Sequence, residues 1–135
     1  AARWHGGAVP PRRRTDPEQG RAALREALAA VDAGGQPARP ALAAAVRFTL
    51  EELAARHPGG SVEVRVPPFA AVQVVQGPRH TRGTPPAVVE TDPVTWLQLA
   101  TGRLAFDDAR AGGRVRASGE RADLGALLPL PAAGG

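Results

Sequence analysis

Arg79-His80-Thr81-Arg82, set inside the glycine- and proline-rich stretch GPRHTRGTPP, groups two guanidinium side chains and an imidazole within four residues. Guanidinium forks match carboxylate and phosphate geometry, so Arg79, His80 and Arg82 form a candidate anion or headgroup site. The plainer reading is a polar loop whose arginines pair with acids such as Glu90. Other reactive chemistry is thin. Cys, Lys and Tyr are absent, and the serines are Ser61 and Ser118, neither in the G-x-S-x-G setting of an activated nucleophile. His5, His57 and His80 fall on a tail, a helix end and a loop, without metal-ligand spacing, so no metal site or cofactor is expected. Asp107-Asp108 and Glu51-Glu52 are adjacent in sequence, which on a helix turns them about 100° apart, and they read as solvated faces.

Composition narrows the function classes further. The 135 residues suit one domain with one core. Of the apolar residues 28 are Ala, against 13 Val, 12 Leu, 3 Phe and 2 Trp, so the core has adequate but not abundant bulk. All 17 basic residues are Arg, and Ile, Asn and Met are missing too, as expected of a GC-rich bacterial coding sequence. Without Cys there is neither a disulfide frame nor a thiolate zinc site. The net charge of +4 invites a nucleic-acid reading, but residues 1–16 alone carry +3, through Arg3, Arg12, Arg13 and Arg14 against Asp16. The remainder is nearly neutral, and nucleic acid is not expected as a partner. No apolar run approaches the roughly 20 residues that span a bilayer, and Pro10, Pro11 and the arginine run leave no signal-length apolar stretch. A soluble, cytoplasmic protein without stable membrane insertion is the expectation.

The elements that must position these groups are readable in outline. Residues 1–15 lack periodicity and are expected to be a disordered basic tail, with Trp4 docking on the domain; residues 16–131 form the domain and 132–135 trail off. Asp16-Pro17 starts a helix, with Leu24, Leu28 and Val31 on one stripe until Gly34-Gly35. A second helix from Pro40 carries Leu42, Val46, Leu50 and Leu53, with ion pairs Arg47–Glu51 and Glu52–Arg56 on its other side. Ser61–Val66 alternates strictly and predicts a half-buried strand. Phe69–Gln76, apolar on both faces apart from Gln73, predicts a central strand. After the loop from Gly77 to Pro86 comes a strand over Ala87–Thr91, and Asp92-Pro93 repeats the helix-start chemistry. That helix presents Trp96, Leu97 and Leu99 and ends at Gly102. A short helix Phe106–Ala111, a corner at Gly112-Gly113, a strand Arg114–Ser118 and a last helix from about Arg121 to Pro129 complete the chain. Helices at both ends of a strand-rich centre imply an α+β fold: a mostly antiparallel sheet of four or five strands covered on one face by helices.

The spacing Trp96-x2-Leu99-Ala-x-Gly102-x-Leu104-x4-Ala109-x3-Gly113-x-Val115-x3-Gly119 resembles the C-terminal half of the sterol carrier protein superfamily, the nonspecific lipid-transfer class, over residues 87–130. The resemblance implies the same sheet-and-helix architecture with an apolar tunnel between the layers, and a bacterial orthologue of the carrier. Val72, Val74, Val89, Trp96, Leu99, Leu104, Phe106, Val115, Leu124, Leu127 and Leu128 are then the candidate ligand lining; without the family pattern the same set reads as ordinary core. The chain departs from the family in its extra helix at Asp16 and in the arginine-bearing loop.

The expected function is a non-enzymatic lipid-binding or lipid-carrier module that holds an acyl or sterol-like ligand between sheet and helices. Each methylene removed from water contributes about 0.8 kcal/mol, so some ten buried carbons offset typical association costs. The rival reading is an accessory domain that assists a partner enzyme without a ligand of its own, so a protein partner stays open. A third, nucleic-acid binding through Arg12-Arg13-Arg14, is disfavoured by the near-neutral remainder.

Overall fold

The computed structural model describes residues 14–77, 87–119 and 123–131. The elements run α1 (Pro17–Asp32), α2 (Arg39–Arg56), β1 (Val62–Val66), β2 (Ala70–Val74), β3 (Ala87–Thr91), α3 (Pro93–Ala100), α4 (Phe106–Ala111), β4 (Val115–Ser118) and a 3-10 turn, Gly125–Leu127. The Trp4 and tail expectations, the loop carrying Arg79, His80 and Arg82, and the C-terminal trail lie outside the described residues.

Both Asp-Pro pairs start helices by the chemistry expected of them. The Asp16 carboxylate accepts from the Gln19 amide at 3.0 Å, the Asp92 carboxylate from the Thr95 amide at 3.0 Å, and a proline occupies the first turn of each helix. Residues Thr15 and Glu51 tie the start of α1 to α2, because Glu51 accepts from the Thr15 amide at 3.0 Å. Glu51 is engaged with Thr15, and of the two expected helix pairs Glu52–Arg56 forms, at 3.3 Å.

α2 is buried on more than the one face its leucines predict. Ala41, Ala45 and Phe48 are buried as well as Val46, Leu50 and Leu53, while Leu42 is half-buried. The reason is its place in the molecule: α1 packs on one side of it, and β2 and α3 on the other. A helix enclosed in this way keeps only a narrow solvent strip, along Pro40, Ala44, Arg47 and Glu51, so its apolar side is broader than the leucine spacing reveals.

The sheet is four-stranded and open, in the order β2-β1-β3-β4. β1–β2 and β3–β4 are antiparallel, and β1–β3 is the single parallel pair. β2, expected at the centre from its apolar run, is an edge strand. It ends at Val74 because Val75 takes φ 67°, a left-handed conformation that a β-branched side chain adopts only under strain. Two main-chain bonds hold Val75 there: its amide donates to His57 at 2.7 Å and its carbonyl accepts from Ser61 at 2.9 Å.

The strict alternation of β1 is realised, with Val62, Val64 and Val66 at most 1% exposed. In register with them, Val72, Val74, Val89 and Ala117 share the helix-covered face. The opposite face is polar: Arg65 pairs with Glu63, and Arg116 with Glu90 at 3.6 Å. α4 packs against β4.

The C-terminal segment departs from the expected helix. Among its described residues, 123–131, the regular part is a single 3-10 turn, Gly125–Leu127, and the buried residues are Leu124 and Leu130. The stretch before Pro129 is too short to repay the cost of helix nucleation, so tertiary anchoring decides its shape. One anchor is a main-chain bond from the Leu130 amide to the Ala100 carbonyl at the end of α3, 2.9 Å long.

Candidate ligand-binding cleft

The end of α3, the turn into α4 and the C-terminal segment enclose a half-open cleft of about 450 Å³. That volume falls within the ~300–1,000 Å³ common to small-molecule sites. One wall is Leu99, Gly102, Leu104, Ala105, Phe106 and Asp107; the other is Asp123, Gly125, Ala126, Leu128 and Pro129. Gly102 ends α3 with φ 82°, as its position after the helix predicts, and a Cβ there would lie 3.3 Å from the Pro129 ring. The glycine thus serves the chain reversal and lets the C-terminal segment approach closely.

The candidate lining residues divide between this cleft and the core. Leu99, Leu104, Phe106 and Leu128 reach the cleft. Val74, Val89, Trp96, Leu99, Phe106, Val115 and Leu124 are at most 4% exposed and belong to one contiguous core cluster, with Val72, Leu104, Leu127 and Leu128 packed half-buried against it. Trp96 is fixed by a buried hydrogen bond: its indole N–H donates to the Thr49 hydroxyl at 2.8 Å, and that hydroxyl donates to the Ala45 carbonyl at 2.8 Å. The cleft therefore opens at one end of the core, and Leu99 and Phe106 belong to both.

Gly102, Ala105, Asp107, Asp123, Gly125, Ala126 and Pro129 are cleft residues that sequence reasoning did not assign to a ligand lining. For the small residues no local signal exists, because an alanine or glycine lines a cleft only by virtue of what stands opposite. Asp107 is exposed, as a solvated face requires, and only the fold reveals that the C-terminal segment stands across from it.

A second depression, about 430 Å³, is polar, with Pro67, Glu90, Thr91, Asp92, Gly113, Arg114 and Arg116 around it. Arg116 pairs with Glu90 across it, while Asp92 and Arg114 are engaged by neutral partners on α3. Arg114 donates to the Thr95 hydroxyl at 2.9 Å and to the Gln98 side-chain carbonyl at 2.5 Å, and the Thr91 hydroxyl donates to the Arg114 carbonyl at 2.7 Å. These bonds fasten β4 to α3 and β3.

Ser61 is 3% exposed at the start of β1, and its hydroxyl has no hydrogen-bond partner among the described residues. Ser118 is exposed, His57 caps the end of α2, and no metal-binding group of His, Asp and Glu occurs among the described residues. No helix among them is long and apolar enough to cross a membrane.

An open sheet with one parallel pair and helices over one face is consistent with the architecture that the sterol carrier resemblance implies. The family model described as the bacterial SCP ortholog matches residues 38–130, and the chain belongs to that family. α1 lies before the matched region and packs on it through α2. Among curated proteins the chain finds no match.

Proposed function

We propose that this protein is a non-enzymatic carrier that takes the apolar part of a lipid-like molecule into the cleft between α4 and the C-terminal segment. The observation that supports this reading is the cleft itself: among the described residues, beyond its two aspartates, it is lined by Leu, Phe, Ala, Gly and Pro. Family membership points to the same class of function. In this mechanism the chain of the ligand lies against Leu104, Phe106 and Leu128, and loss of its hydration drives binding at about 0.8 kcal/mol per methylene. The C-terminal segment, held to α3 by the Leu130–Ala100 bond, forms the second wall.

One observation favours the second reading, an accessory domain for a partner enzyme: most of the candidate lining is packed as core. Native mass spectrometry of freshly purified protein separates the two. Co-purified lipid that disappears in Leu104→Asp supports the carrier; protein without lipid that also fails to bind an added medium-chain alcohol refutes it and leaves the accessory reading.

A further inference from the structure

We infer that the molecule held in this cleft carries a positively charged head, as in a long-chain amine or quaternary ammonium, and not a free carboxylate. The inference rests on the carrier reading above and adds the charge class of its ligand.

Among the described residues the cleft has two charged lining residues, Asp107 and Asp123, one from each wall, and no arginine of that set lines it. That is unexpected by composition, since the chain has more basic than acidic residues and a net charge of +4. The nearest arginine in sequence on the first wall, Arg103, is drawn off to Asp32 by two bonds of 2.8 Å. Arg110 and Asp108 flank Asp107 along α4, and neither carboxylate of the mouth has an ion-pair partner among the described residues. The Asp123 carboxylate is held on its wall by the Gly125 amide, which donates to it at 2.7 Å.

Asp107 and Asp123 are both exposed at the cleft, so a polar end that stays in water beside them meets two opposite charges if it is an ammonium and two of its own sign if it is a carboxylate. The overall positive charge of the protein acts the other way and favours anions at long range. The order of affinities therefore reports the local arrangement.

The test is calorimetry on the full chain at pH 7 and low salt, with decyltrimethylammonium, decanol and decanoate, each below its micelle-forming concentration. The cation is expected to bind about tenfold more tightly than decanoate, with decanol between them. The gap should close in Asp107→Asn with Asp123→Asn, and narrow in high salt. Asn at position 123 retains an acceptor for the Gly125 amide, and Asp107→Asn alone serves if the double variant melts early. Equal affinities, tighter decanoate, or an order unmoved by the substitutions overturn the inference; decanol binding in those cases leaves the carrier reading standing. No binding of any of the three overturns both.

Discussion

Replacing Gly20 with alanine should destabilise this protein, although helix propensity alone argues the opposite. Gly20 lies within α1, where exchanging glycine for alanine typically gains about 1 kcal/mol. Here the residue is buried against α2, and a Cβ built on it would stand 2.4 Å from Cγ and 2.8 Å from Cβ of Phe48. Those atoms are the root of the Phe48 side chain, so a rotation of the ring cannot clear them; one helix must shift on the other. Overpacking of this kind costs about 1–3 kcal/mol, and with contacts this short the upper part of that range applies. The net loss is then about 1–2 kcal/mol. Urea unfolding reads it as a lower midpoint at unchanged slope. Phe48→Ala by itself should cost about 3–5 kcal/mol, and the double variant Gly20→Ala with Phe48→Ala should cost at least 1 kcal/mol less than the sum of the two. A raised midpoint in Gly20→Ala, or strict additivity in the double variant, would refute the proposed close approach of α1 to α2.

Thr49→Val keeps the shape of the side chain but removes the acceptor of the Trp96 indole, and it should cost about 1–3 kcal/mol by chemical unfolding; a change below about 0.5 kcal/mol would show the bond to be unimportant. The Asp32 carboxyl is held below its ordinary value of 3.8 by its hydrogen bonds to Arg103. Its contribution to stability is accordingly present above that ordinary value and lost as pH falls through the lowered one. Arg103→Ala should return the Asp32 titration, followed by carboxyl NMR, to the ordinary value; an unmoved titration would contradict the pairing.

Local chemistry decided the features that were legible in the sequence. Asp16-Pro17 and Asp92-Pro93 start helices because a carboxylate and a proline satisfy the first turn whatever else the chain does. The alternation of Val62, Val64 and Val66 determined a strand with one buried face, since side chains on a strand point alternately to its two sides. The spacing from Trp96 to Gly119 was enough to place the chain in its family.

Tertiary structure decided the rest, because the deciding partners lie far away along the chain. The apolar run of β2 looked central, yet pairing with β1 on one side only made it an edge, and the strained Val75 ended it. Leucines at 124, 127 and 128 have helical spacing, but the main-chain bond from Leu130 to Ala100 and the fit of Pro129 beside Gly102 laid that segment down as a wall instead. For the same reason the eleven apolar residues that could have lined a tunnel separated into core and cleft. Whether a buried-type side chain faces protein or open space depends on the neighbouring layer and not on its own hydrophobicity. The two carboxylates at the mouth, 16 positions apart in sequence, share one site only because the C-terminal segment folds back over the turn between α3 and α4.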